Sequence, residues 1–224
     1  MKKALLAGLL AFIATGVFAQ QKVELKTALD STNYAFGVAM GNSLKETMAT
    51  DLNMDVFMEA MRATLKTEKT AIAPDAALKM QQAYVAKAQA RIAEAWKAKN
   101  LDYLEKNKLR KEVTTTASGL QYEVMKRGTG TVSPKATDKV EVHYHGTMIS
   151  GEIFDSSVRR NQTASFGLNQ VIKGWTEGLQ YMKEGDKFKF FIPYNLAYGE
   201  QARGATIKGY STLIFEIELF KVNP

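Results

Sequence analysis

Cysteine is absent from the 224 residues, and histidine occurs only twice. Without cysteine there is no disulfide framework, thiolate zinc site, iron–sulfur cluster or thiol nucleophile. A histidine-based metal centre would need both His143 and His145, with carboxylates completing the set. Proline is sparse, with Pro74 alone between residues 26 and 112. Glycine-rich phosphate loops and a nucleophile elbow are missing as well. Beyond the first nineteen residues no apolar run approaches the about 20 residues that span a bilayer. The net charge of +7 has no pole: residues 20–112 hold fifteen basic and twelve acidic side chains, residues 113–224 thirteen and eleven. Even the densest basic run, Lys106 to Lys111, reads as a solvated helix face, so nucleic acid is not an expected partner. What remains is a globular composition, 46% hydrophobic and 10% aromatic, long enough for about two domains.

The N-terminus carries an address. Met1-Lys2-Lys3 precedes an uncharged stretch rich in Leu, Ala and Phe, which ends at Val17-Phe18-Ala19 with small residues at both cleavage positions. This pattern predicts a secretory signal over residues 1–19 and no stable membrane anchor, since Gln20-Gln21-Lys22 stops the apolar run short. The mature chain is expected outside the cytoplasm, in the periplasm or on the outer surface.

The mature sequence changes character near residue 113. Residues 20–112, rich in Ala, Met, Leu and Lys, favour helices. Ser31 or Thr32 is expected to cap the first and Asp55 the second. Pro74 suits the first position of a third, whose stripe Met80, Tyr84, Ala88, Ile92, Trp96 runs on toward Lys108. A helix on the order of 50 Å long cannot bury its length against two short partners, so its far end is a solvated arm or its apolar face is shared with a second chain; the shared face, and so a homodimer through these helices, is expected. From residue 113 to 224 alternation takes over. Val140, Val142 and Tyr144, then Phe188, Phe190 and Ile192, then Leu213, Phe215, Ile217 and Leu219 mark inward faces of strands. Ile172, Trp175, Leu179 and Met182 recur at helical spacing. The fold class is therefore α+β: an all-α N-terminal segment with a long connecting helix, then an antiparallel sheet wrapped around one short helix.

Candidate chemistry is thin by the usual signatures. Glu141, His143 and His145 fall on one strand face and could hold a metal, but neutral imidazoles on a sheet surface explain them better. No metal or cofactor is expected. Aromatics near turns are more telling: Tyr144, Phe154, Phe166, Trp175, Tyr198 and Phe215. Two of them adjoin polar, glycine-bearing loops, Phe154-Asp155-Ser156-Ser157 and Ala197-Tyr198-Gly199, as in an apolar pocket with a few polar contacts.

At these residues the sequence resembles the FKBP-type peptidyl-prolyl isomerases. The matching pieces are Val142 to Gly146, Gly151 to Ser157, Val171 to Trp175, Gly178-Leu179, Ile192-Pro193, Ala197 to Gly199 and Thr212 to Glu216, in order over roughly residues 115–222. The helical segment is similar to the exported, dimeric Mip-like branch. The resemblance implies that a substrate proline ring rests on Trp175, walled by Tyr144, Phe154, Phe166, Val171, Ile172 and Phe215. It implies that Asp155, paired with Arg160, faces the substrate carbonyl. The Tyr198 hydroxyl and the Ile172 N–H would hold the peptide, and Ile207 matches a flap residue. Ala164, Arg203 and Thr206 depart from the family's usual aromatic, histidine and aliphatic residues, which bears on peptide preference and macrolide affinity. Proline-containing unfolded or partly folded polypeptides and macrolide inhibitors are the partners implied. Folding of exported proteins is the role implied, with chaperone activity beside it; a chaperone or peptide-binding module with a vestigial pocket is the alternative.

Overall fold

A computed structural model describes residues 23–46 and 51–224. The secretory signal expected at 1–19 lies outside the described residues. Among the described residues no helix is long and apolar enough to cross a membrane.

Helix α1 spans Ala28–Glu46 and buries none of its residues. Its cap differs from expectation. Thr27 and Asp30 exchange bonds, Asp30 N donating to Thr27 Oγ1 at 3.0 Å and Thr27 N to Asp30 Oδ2 at 2.9 Å. Such a reciprocal pair three residues apart satisfies two orphan donors at once, which a single hydroxyl cannot. Ser31 and Thr32 therefore fall inside the helix, where their hydroxyls donate back to the carbonyls of Thr27 and Ala28. Helix α2, Met54–Leu65, is capped by Asn53 and not by Asp55. Asn53 Oδ1 accepts from the N–H groups of Asp55 and Val56 at 3.0 and 3.2 Å.

Helix α3, Pro74–Asn107, has Pro74 at its start as expected and runs 34 residues, about 51 Å at 1.5 Å per residue. Only Ala88, Asn100, Leu104 and Asn107 are buried along it.

Seven antiparallel strands follow: β1 Val113–Thr115, β2 Gln121–Lys126, β3 Lys139–Met148, β4 Ile153–Ser156, β5 Ala164–Gly167, β6 Lys187–Ile192 and β7 Leu213–Val222. Their order is β1-β2-β6-β7-β3-β4, with β5 also paired to β3. Between β5 and β6 lies helix α4, Lys173–Gly178, prolonged by a 3-10 turn over Leu179–Tyr181. Trp175, Leu179 and Met182 face Phe188, Phe190, Ile192 and the inward residues of β3 and β7 in one core. Gly178 permits the approach: a Cβ there would lie 2.6 Å from the Phe190 ring.

The alternation rule accounts for the inner face of the sheet but not for its outer one. Phe191 and Ile214, which alternation turns away from the core, are 1% and 8% exposed because Leu104 of α3 covers them. Polar bonds lock this seam. Asn100 Oδ1 accepts from Thr212 N at 2.8 Å, and its amide donates to Trp96 O at 2.8 Å. Trp96 Nε1 donates to Ser211 Oγ at 3.0 Å. Nearer the helix end, Asn107 Nδ2 donates to Gln121 Oε1 at 2.8 Å, and Gln121 Nε2 to Leu104 O at 3.0 Å. The last turns of α3 are thus joined to the start of β7 and to β2.

Candidate active site

Strands β3, β4, β5 and β7, helix α4 and the loop before β7 surround an open cavity of about 720 Å³. Its floor is Trp175, 4% exposed on α4. Three rings meet the indole edge-on: Tyr144 at 5.4 Å between centroids, Phe166 at 5.5 Å and Phe215 at 5.2 Å, with interplanar angles of 78°, 88° and 84°. Phe154 abuts Phe215 in the same way at 5.3 Å. Edge-to-face contact directs positive ring edges onto negative ring faces, so the nest is self-consistent as well as apolar. Gly146 makes room for it, since a Cβ there would come within 2.7 Å of the Phe154 ring.

The strand period explains the placement. Tyr144 on β3 and Phe215 on β7 are inward residues of adjacent strands: Phe215 pairs with Gly146, two residues along β3 from Tyr144. Trp175 enters from α4 because Ile172, in extended conformation, is that helix's N-cap. The N–H of such a residue has no partner within the helix. Indole Nε1 is buried without an acceptor.

One wall is polar. Tyr144 Oη donates to Asp155 Oδ2 at 2.5 Å, Arg160 Nη1 donates to Asp155 Oδ1 at 2.5 Å, and Arg160 Nη2 donates to Tyr144 Oη at 2.8 Å. The three groups close a ring. Burial works against ionisation of Asp155, but the bonds from Tyr144 and Arg160 and the guanidinium charge outweigh it and hold its carboxyl below the ordinary value. Burial, then the bond to Asp155, push the Tyr144 hydroxyl above its ordinary value. Asp155 is a carboxylate at neutral pH, and Tyr144 is a donor.

Ten of the eleven expected site residues line this cavity: Tyr144, Phe154, Asp155, Phe166, Val171, Ile172, Trp175, Tyr198, Ile207 and Phe215. Arg160 stands behind the wall, reaching it through Asp155 and Tyr144. Gln170, Lys173, Ala197 and Arg203 line it too. Gln170 and Lys173 flank Val171-Ile172, so reading outward from the N-cap of α4 would have found them. The two histidines take hydroxyl partners, His143 Nδ1 with Ser157 Oγ at 3.0 Å and His145 Nδ1 with Ser156 Oγ at 2.9 Å. Among the described residues no group of three or more His, Asp or Glu is placed to hold a metal. A second hollow of about 460 Å³ lies beside Lys106, Arg110 and Ile149. Its charges are largely paired already, Lys106 with Asp102 and Arg110 with Glu112 and Glu123.

Residues 130–220 match the family of FKBP-type peptidyl-prolyl cis-trans isomerases, and residues 29–124 match the domain amino-terminal to such isomerases. The chain belongs to the FKBP-type peptidyl-prolyl isomerases. It is 39% identical to FkpA of Aeromonas hydrophila over 214 residues, covering 90% of this chain and 79% of that one. It is 35% identical to the outer membrane protein MIP of Legionella longbeachae over 217 residues, covering 94% and 92%. The crystal structure of FkpA from Escherichia coli superposes with a TM-score of 0.71 at 34% identity, covering 90% of this chain and 99% of that one. This isomerase therefore acts on X–Pro bonds of polypeptides, and the α+β architecture is that of its family.

Proposed function

We propose that the cavity floored by Trp175 is where this isomerase turns the X–Pro bond. The observation that carries the reading is the nest of three rings set edge-on to a buried indole, with an ionised Asp155 fixed on one wall. The substrate proline ring lies on the Trp175 face, between Tyr144, Phe154, Phe166, Val171, Ile172 and Phe215. Asp155, held by Arg160 and Tyr144, faces the substrate carbonyl. The Tyr198 hydroxyl and the Ile172 N–H hold the peptide, and Ile207 closes over it.

No covalent step is needed. The barrier of about 18–20 kcal/mol arises from the partial double bond of the amide. Twisting the amide removes the charge-separated resonance form, so a dry apolar surround favours the twisted state over the planar one. Polar anchors that fit only the twisted geometry add to the difference. Cis and trans differ by only about 0.5–1 kcal/mol, so the enzyme changes the rate and leaves the equilibrium alone. The test is exchange of a proline peptide followed by NMR in the presence of the mature chain: acceleration reduced in both Asp155→Ala and Tyr198→Phe supports the reading, and unchanged turnover in both argues against it.

Around this site the division of the chain follows: a signal over 1–19, a helical dimerisation segment over 20–112 and the isomerase domain over 113–224, the last turns of α3 serving as a buttress. The exported chain assists the folding of other exported proteins, in the periplasm or at the outer surface. Apolar side chains left open within one chain support the homodimer, among them Phe36 of α1 and Met54, Val56, Met58 and Leu65 of α2. Methionines such as Met40 and Met58 suit varied unfolded clients where they are not covered by the partner. Macrolides that mimic a seated prolyl ring are candidate inhibitors.

A further inference from the structure

The charges at the mouth of the cavity do not cancel. Asp155 is the sole acidic residue in the lining, and Arg160 and the Tyr144 hydroxyl already occupy both its oxygens. Lys173 and Arg203 line the same cavity, and neither is ion-paired among the described residues. The acids near them in sequence are engaged elsewhere. Both oxygens of Glu177 accept from Ser118 Oγ, at 2.9 and 2.7 Å, and Glu200 is bonded to the Tyr210 hydroxyl.

Arg203 is also held in place. Its backbone N–H donates to Ile207 O at 2.8 Å across a turn that includes Gly204 at φ +63°, and its guanidinium sits 5.8 Å from the centroid of the Tyr198 ring. Lys173 directly follows Ile172, so both cations stand beside groups placed in contact with the peptide. Two exposed cations on the rim of an apolar cavity raise the local concentration of negative charge there. A residue preceding the seated proline has its Cα only about 2.9 Å (cis) to 3.8 Å (trans) from the proline Cα, so its side chain starts within the cavity that Lys173 and Arg203 line.

We propose that Lys173 and Arg203 make the enzyme select X–Pro bonds flanked by acidic residues. The inference rests on the assignment of this cavity as the isomerase site.

The test is NMR exchange of acetylated, amidated tetrapeptides with the full mature chain, without a coupling protease. The peptides Ala-X-Pro-Phe and Ala-Ala-Pro-X carry Glu, Gln or Lys at X. In low salt, kcat/KM is expected to fall in the order Glu, Gln, Lys in at least one series, with roughly a two- to five-fold step between Glu and Gln, the size of an exposed ion pair. Half-molar salt should compress that ratio toward one. The double variant Lys173→Glu, Arg203→Glu should invert the order; if it fails to fold, the salt series on the unaltered chain still decides. Equal turnover of all three peptides in both series, or a Glu:Gln ratio insensitive to salt, overturns the selection alone. No turnover of any peptide removes the site assignment and the selection with it.

Discussion

Asp155 is the residue on which the polar side of the cavity turns. Removing its carboxylate in Asp155→Ala, or the phenol in Tyr198→Phe, should slow isomerisation by about tenfold each, near 1.4 kcal/mol in the barrier. Thermal melting should show both variants folded, since neither residue is in the buried core. The pH dependence has a defined sign. A carboxyl whose folded pKa is depressed contributes stability above its unfolded value, about 3.9, and loses it as pH falls through the lower folded value. The stability difference between the unaltered chain and Asp155→Asn should hence be constant from pH 8 to about 4 and shrink below that, as urea titrations at each pH would show. Trp175 belongs to both core and site. Trp175→Ala should cost about 3–5 kcal/mol of stability and abolish catalysis together.

Among the elements, α3 has the most to explain. Its N-terminal two-thirds is mostly exposed, while its last turns are part of the surface that supports β7 and the loop bearing Tyr198 and Arg203. Asn100→Ala leaves the buried N–H of Thr212 without an acceptor and should destabilise by about 1–3 kcal/mol, read by urea denaturation. A fragment of 113–224 loses Leu104, Asn100 and Asn107 at once. It should be about 3–6 kcal/mol less stable than a fragment of 94–224; equal urea midpoints would show that the seam carries no stability. This seam is what the sequence concealed. Period two placed Val142, Tyr144, Phe215 and Ile217 inside, because the residues alternating with them, Ile214 excepted, are charged or polar. It could not tell that Phe191 and Ile214 are covered, since the cover comes from Leu104, about a hundred residues away from either in sequence or nearly so. The cavity was more legible, because Asp155, Trp175 and Tyr198 sit in short, distinctive segments with glycines beside them. Arg203 stood out in the sequence as a departure from the family pattern, but that it and Lys173 have no ion partner was not legible, since an unpaired cation is defined by carboxylates elsewhere that happen to be engaged. Both misplaced caps have one cause: a reciprocal Thr27–Asp30 pair and an amide at Asn53 outcompeted nearby hydroxyl and carboxyl candidates.

At the scale of the whole molecule the proposed homodimer rests on the open apolar side chains of α1 and of α2. Sedimentation of the mature chain at micromolar concentration should give twice the single-chain mass, and Phe36→Glu combined with Met58→Glu should return it to one. A single-chain mass for the unaltered protein would leave those faces without a partner. The central claim, that rotation occurs on the Trp175 indole, is tested most directly on the intact mature chain. The two indoles differ: Trp96 Nε1 is bonded to Ser211 Oγ, whereas Trp175 Nε1 has no acceptor, so their N–H resonances are separable once Trp96→Phe assigns them. Adding a proline peptide in exchange should shift the Trp175 signal while leaving that of Trp96 in place, with an apparent affinity equal to that governing acceleration of cis–trans exchange. Acceleration with an unmoved Trp175 signal would place the reaction somewhere else on the protein.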